Sequence, residues 1–272
     1  MDSRIILEQM SCDHKCRSDS LHQLNEMKLQ PLDYPSVLLK NTAIVMDYSG
    51  TIVDDIRPTK DAFNYVLIRR GMDPVSITQF RNEFDLPYWE YLVSCGISED
   101  VAKSDEVLRE IEDAYMMHLY QVVPFREAVS AIACLSSMGA GLAIASSSTR
   151  RMLQAGLNRF HLNRFFRSVV AYEDCPKSKP DPTPLTLALG RLGQFRHCFY
   201  FGDMCADVVA AHSARMTSVS VSRRDSYNTE VRLEESGTDY LARDLWEAAR
   251  FVTKRLSPME PECQAASSIL TD

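Results

Sequence analysis

Apolar positions along this chain follow two rhythms. Thr42-Ala43-Ile44-Val45-Met46 is a short apolar, β-branched run closed off by Ser49-Gly50-Thr51, the pattern of a buried strand. From residue 58 to 120 the rhythm is helical. Val101, Val107, Leu108, Ile111, Tyr115, Met116 and Leu119 fall at helical spacing, with charged residues between them. Pro74, Pro87, Gly71 and Gly96 divide that stretch into several helices, and no strand-like alternation interrupts it.

Strand and helix then alternate. Pro124 suits a helix start running to about Met138, and Leu142-Ala143-Ile144-Ala145 is a second buried strand. Ser146-Ser147-Ser148-Thr149 opens a helix, with hydroxyls available to cap its free amides. Strands at 168–172, 197–201 and 218–221 alternate with helices at 182–192 and 206–214, and an amphipathic helix over 240–256 closes the pattern. Such alternation predicts an α/β fold with a parallel sheet covered by helices on both faces. The expected organisation is a core of 39–55 and 124–256, an inserted all-helical module at 56–123, an N-terminal extension at 1–38 and a tail at 257–272. Residues 1–38 are polar and weakly periodic; they read as an arm or docking helix, and as the route through which an oligomer would form.

Composition narrows the partners. A net charge of −7 speaks against a polyanion-binding surface, so no nucleic-acid partner is expected. No apolar run reaches membrane-span length, and the N-terminus has no signal-peptide core, so a cytoplasmic location with no membrane partner is expected. The eight cysteines lack regular spacing, which fits reduced thiols. Cys12-Asp13-His14-Lys15-Cys16 has no second ligand pair at zinc-site spacing.

Four groups fall at strand ends or helix starts: Asp47, Ser146, Lys179 and the pair Asp203 and Asp207. In a parallel sheet those ends share one edge. Carboxylates from two strands suit a hard divalent cation such as Mg²⁺. A hydroxyl at a helix start, with the helix amides, accepts an oxyanion, and a lysine neutralises charge on the same anion. Together these are the parts that phosphoryl transfer to a carboxylate nucleophile requires. Each residue alone has a plainer account: Ser146 as a helix cap, Lys179 as a solvated lysine, Asp207 as a first-turn acid.

In order and spacing these residues resemble the motifs of the haloacid dehalogenase-like hydrolases. Asp47-Tyr48-Ser49-Gly50-Thr51 with the later Asp54 is similar to the first motif, and Ala143-Ile144-Ala145-Ser146 to the second. Lys179-Pro180-Asp181-Pro182 resembles the third, and Phe201-Gly202-Asp203 with Asp207 the fourth. The resemblance implies a Rossmann-like core with a helical cap, and a Mg²⁺-dependent phosphatase of a small phosphorylated metabolite. It implies Asp47 as nucleophile through an aspartyl-phosphate, with Lys179 holding both Asp47 and the phosphoryl group. Asp47, the Ser49 carbonyl, Asp203 and Asp207 would be at the metal. Ser146, Ser147, Lys179, Gly50 and Thr51 would surround the phosphate, with Gly50 allowing the turn on which the cap moves.

One position departs from the pattern. The family phosphatases carry a second Asp two residues after the nucleophile, which protonates the leaving group and later activates water; here it is Ser49. Asp54, Asp55, Asp85 and His118 are the candidate replacements. The alternatives are a carbon–phosphorus hydrolase resembling phosphonoacetaldehyde hydrolase, acting on a phosphonate, or a catalytically weak protein that binds a phosphorylated ligand. The first of these needs a cap lysine, but Tyr88 stands at the matching place, and the inserted region holds only Lys60 and Lys103. Haloacid dehalogenation fits poorly with Asp203 and Asp207. Tyr88, Trp89 and Tyr91 form an aromatic cluster suited to cap packing or to stacking on a ring.

Overall fold

The computed structural model describes residues 38–224 and 226–257. Apart from Leu38 and Ser257, the extension and the tail, with the Cys12–Cys16 segment, lie outside the described residues. Six strands form one parallel sheet: β1 (Thr42–Met46), β4 (Gly141–Ala145), β5 (Ser168–Val170), β6 (His197–Gly202), β7 (Thr217–Val221) and β8 (Tyr240–Ala242). Their order is β5-β4-β1-β6-β7-β8, so the first strand lies inside the sheet between β4 and β6. A separate antiparallel ribbon joins β2 (Val53–Asp54) to β3 (Val123–Pro124).

All five β1 residues are buried, as a central strand covered on both faces requires. Successive side chains point to opposite faces. Ala43 and Val45 share a core with Ala143, Ala145, Leu185, Ala188 and Ala210, beneath α8 (Thr183–Leu192) and α9 (Cys205–Ser213). On the opposite face α6 (Ala128–Ser137) packs with α11 (Leu245–Leu256), whose Phe251 ring meets Phe199 edge-on at 6.4 Å.

Between β2 and β3 the chain forms α1 (Ile56–Arg69), α2 (Ile77–Glu83), α3 (Tyr88–Ser94), α4 (Glu99–Ala102) and α5 (Asp105–Met117). Their shared core is aromatic. Phe80 and Phe84 stack at 4.5 Å, and Phe63 and Tyr91 pack edge-on against both. Tyr91 is thus a packing residue.

Two expected helix starts are wrong. Pro124 does not begin a helix but pairs with Val53, and α6 starts at Ala128. A proline lacks a donor, which a two-residue ribbon tolerates as well as a helix start does. Residues 240–242 extend the sheet as β8, and the final helix begins only after Asp244, whose side chain accepts from the Glu247 amide at 2.7 Å. The periodicity of α11 carried the expected helix backwards past that N-cap. The third strand is also shorter than expected, since Tyr172 already belongs to a 3₁₀ turn. A short helix, α10 (Glu230–Glu235), was not anticipated.

Gly156 lies inside α7 (Arg150–Arg159), where glycine costs about 1 kcal/mol relative to alanine. Its reason is Tyr48. A Cβ at residue 156 would stand 1.8 Å from the Tyr48 hydroxyl, which is buried with no hydrogen-bond partner among the described residues. Gly156→Ala is therefore expected to lower the urea-unfolding free energy by about 1–3 kcal/mol, its helix propensity notwithstanding. Tyr48→Phe removes the clashing oxygen and should recover part of that loss in the double variant. Equal losses in both backgrounds would refute the contact as the cause.

Candidate active site

Parallel register assembles this site. Asp47 follows β1, Ser146 follows β4 and Asp203 follows β6, and Met46 lies level with Ile144 and Phe201 across three adjacent strands. The Asp47 amide still bonds to the Phe201 carbonyl at 2.8 Å, which keeps the carboxylate in line with the sheet. Lys179 comes from the connection between β5 and α8, and Asp207 from the first turn of α9.

Lys179 is fully buried and its three donors are all used. Nζ lies 2.7 Å from Asp207 Oδ1, 3.0 Å from Asp47 Oδ2 and 3.0 Å from the Tyr200 hydroxyl. Tyr200 in turn donates to Asp207 Oδ1 at 3.1 Å, and Asp207 Oδ2 accepts the amides of Asp203 and Met204, both at 3.1 Å. Both Asp207 oxygens are thus already occupied by protein donors. Asp203 accepts from the Thr51 hydroxyl at 3.2 Å and the Tyr227 amide at 3.0 Å.

Oxygens of Asp47, Asp203 and Asp207 lie within 4.8 Å of one another, all buried. Lys179 is the only cation within ion-pair distance of them among the described residues, and it touches Asp47 and Asp207 but not Asp203. Three carboxylates against one ammonium leave an excess of negative charge in a buried site. Burial, with the Asp207 charge adding to it, raises the Asp47 pKa to about 6 despite Lys179. Burial and the two neighbouring carboxylates push Asp203 well above the usual range. The all-oxygen, over-negative donor set fits the Mg²⁺ ion that the resemblance implies.

The turn after Asp47 is built for close approach. Gly50 has φ +70°, and a Cβ there would fall 2.2 Å from Asp203 Oδ2. Its carbonyl accepts from Arg223 Nη1 at 3.1 Å, while Arg223 pairs with Glu127 at 2.6 Å. Its amide donates to Asp55, whose carboxylate also accepts from the hydroxyls of Tyr115 and Tyr227 at 3.0 and 3.1 Å. Burial raises the Asp55 pKa to about 6.

A small cavity of about 80 Å³ opens over Asp47. Its floor is Asp47, Ser49 and the Ser146–Ser148 run; its roof is supplied by the inserted helices. Ser146 Oγ accepts the Ser148 amide at 3.2 Å, and Ser49 Oγ lies 3.1 Å from Ser148 Oγ. The helix N-cap is Thr149, one residue beyond the serines, so their hydroxyls stay with the cavity. Gly50, Thr51 and Lys179 lie outside the lining, as do Asp203 and Asp207.

The candidate replacements for the missing acid are elsewhere. Asp85 pairs with Arg232, His118 bonds to Gln121, and Asp55 is enclosed by its tyrosines; neither these nor Asp54 line the cavity. Lys60 pairs with Asp61, and Lys103 sits over the Trp89 ring beside Glu99, so neither provides an amine at the site. Of the aromatic cluster, Tyr88 alone lines the cavity.

Sequence reasoning missed Tyr200 and Tyr227. Tyr200 looks like a core aromatic until the register places it under Lys179 and Ala145, whose carbonyl it reaches at 3.2 Å. Tyr227 belongs to a loop with no periodicity at all, and only the folded chain brings it onto Asp55, Thr59 and Asp203.

Comparison with known proteins gives the family and the fold. A family model described as haloacid dehalogenase-like hydrolase matches residues 44–221. The chain is 24% identical to pyrophosphatase PpaX of Oceanobacillus iheyensis, covering 74% of this chain and 92% of that one. It is 26% identical to a phosphoglycolate phosphatase of Psychrobacter arcticus, over 70% of this chain and 86% of the relative. Among solved structures, a hydrolase from Pseudomonas syringae superposes with a TM-score of 0.69 at 19% identity, covering 80% of this chain and all (100%) of the other. A haloacid dehalogenase-like hydrolase from Entamoeba histolytica gives 0.66 at 21% identity, covering 78% and 99%. With the family model spanning well over half of its length, the chain belongs to the haloacid dehalogenase-like hydrolase family.

Proposed function

We propose that this protein is a Mg²⁺-dependent phosphatase of a small phosphorylated metabolite, with Asp47 as its nucleophile. The carrying observation is the Asp47 carboxylate at the floor of a serine-lined cavity, fixed by Lys179 at 3.0 Å. Relatives named for pyrophosphate and phosphoglycolate support phosphoryl chemistry as the class. Residues 39–55 and 124–256 act as the core, and 56–123 as a cap on the β2–β3 ribbon.

The Ser146 and Ser147 hydroxyls, which line the cavity beside Asp47, receive the phosphoryl oxygens. Asp47 attacks phosphorus and becomes an aspartyl-phosphate, which water then hydrolyses. Lys179 orients Asp47 and balances its charge; its saturated donors make it a positioning residue more than a phosphate ligand. Asp47, the Ser49 carbonyl and Asp203 would hold Mg²⁺, with Asp207 ordering Asp203 and Lys179 from beside them. When bound, the ion neutralises charge on the phosphoryl group and on the surrounding carboxylates. Thr51 and Gly50 serve the turn and Asp203, not the phosphate.

Asp47→Asn should reduce hydrolysis of p-nitrophenyl phosphate by at least about 10³-fold, while Ser49→Asp should raise it by roughly 10²–10⁴-fold. Unchanged activity in Asp47→Asn would remove the nucleophile assignment. A wild type inert toward every phosphate ester tested, with turnover restored by Ser49→Asp, would favour a phospho-ligand binder.

Linkage gives a second test. Asp47 and Asp55 have folded pKa values raised to about 6 by burial. In the metal-free protein their contribution to stability is present below the unfolded carboxylate pKa and is lost as pH rises through about 6. Mg²⁺ needs the ionised carboxylates, so its stabilisation runs the other way. The rise in melting temperature on adding millimolar Mg²⁺ should be larger near pH 7.5 than near pH 5, and should vanish in Asp203→Asn. An equal rise at both pH values would refute metal binding by these groups.

A further inference from the structure

The cavity is divided by chemistry. Its floor is hydroxyl and carboxylate, but the roof, where a leaving group would lie, includes Phe63, Phe84, Leu86, Tyr88, Leu108 and Ile111. Among the described residues, no lysine, arginine or histidine lines it. A leaving group with its own negative charge, such as a second phosphoryl group or a carboxylate, would lie against that apolar wall without a cationic partner, which is unfavourable. The carboxylates beneath the floor add repulsion.

Ser49 imposes a second, independent condition. With no carboxylic acid two residues after Asp47, and none of Asp54, Asp55, Asp85 or His118 in the lining, the described residues of the cavity place no such acid beside a departing alkoxide. Only an alcohol acidic enough to depart as its anion leaves readily. The rim of Phe63, Phe84 and Tyr88 rings, with Phe63 edge-on to the other two at 5.2 and 6.5 Å, is suited to receive a further ring.

We propose, on the basis of the phosphatase reading above, that the substrate class is the phosphomonoester of a small uncharged phenol. Asp47 Oδ forms its bond to phosphorus as the bond from phosphorus to the aryl oxygen breaks, with its electron pair going to the aryl oxygen. The aryloxide leaves and takes a proton from water. A water oxygen then attacks phosphorus, the electron pair of the broken acyl-phosphate bond returns to Asp47, and the water's protons pass to inorganic phosphate and solvent. The second step also lacks its base, so the aspartyl-phosphate accumulates.

The test uses the full chain with Mg²⁺ and reads kcat/KM for phenyl phosphate, p-nitrophenyl phosphate, 2-phosphoglycolate and pyrophosphate. Both aryl esters are expected to exceed both anionic probes by about 100-fold. Their own ratio should favour p-nitrophenyl phosphate steeply in the wild type, and less steeply in Ser49→Asp, which supplies the acid. Rapid mixing with p-nitrophenyl phosphate should show a burst of p-nitrophenol close to one per active site. Leu108→Arg, which places a cation on the roof, should move the preference toward 2-phosphoglycolate by at least about 10-fold. Pyrophosphate or 2-phosphoglycolate turned over as well as phenyl phosphate would overturn this inference and leave the phosphatase reading intact. If no probe is turned over by wild type or Ser49→Asp, and none binds to Asp47→Asn by calorimetry, both readings fall.

Discussion

The site depends on one buried ammonium. Lys179 has no exposed surface and touches Asp47, Asp207 and Tyr200 at once. A lysine taken out of water alone would give up its proton; here two carboxylates outweigh the desolvation and hold its pKa above the ordinary value. The dependence is mutual. Asp47 and Asp207 are themselves buried, and without the ammonium each would be an uncompensated charge. The cluster then fixes geometry. Asp207 is tied to the start of α9 through the Asp203 and Met204 amides, so the ammonium links the ends of β1 and β6 to the segment entering α8.

That cluster is still over-negative, and the excess sits on Asp203, the one acid of the three that Lys179 does not touch. The chain satisfies Asp203 with neutral donors, the Thr51 hydroxyl and the Tyr227 amide, which order it without cancelling its charge. Gly50 leaves that carboxylate room on the side of the turn after Asp47. A core shaped only for stability would replace such an acid; keeping it buried and half-compensated fits a place reserved for a cation.

How much of this is legible in the sequence follows from where each residue sits. Asp47, Ser146 and Asp203 each end an apolar run, so the strand pattern, with the rule that parallel strands present their ends together, is enough to place them on one edge. Lys179 and Asp207 stand outside the strands, and are readable only from the motif spacing. Tyr200 is hidden because a tyrosine between two phenylalanines in a strand looks like core. Pro124 and Tyr240 mislead because proline and amphipathic helix signals act locally, while the ribbon and the sixth strand are made by partners distant in sequence, Val53 and Val219. Tyr227 shows the limit most clearly. Its loop has no pattern, yet it bonds to an acid of the core and to a threonine of α1.

The same loop accounts for why the roof is seated on the floor. The Ser226 carbonyl accepts from Arg81 at 2.8 Å, Asn228 donates to the Phe84 carbonyl at 3.1 Å, and Arg232 reaches that carbonyl and pairs with Asp85. These bonds join the connection after β7 to α2 and the turn beyond it, the stretch that supplies Phe84 and Leu86 to the cavity. The bonds are polar and lie at the edge, while the faces they bring together are apolar. Specificity of seating therefore comes from the rim, and exclusion of water from the roof. With Ser49 in place of an acid, the proposed reaction draws the leaving group's proton from water, because none of the candidate acids lines the cavity among the described residues. What the leaving group can be is decided by its own acidity and by whether it tolerates an apolar wall.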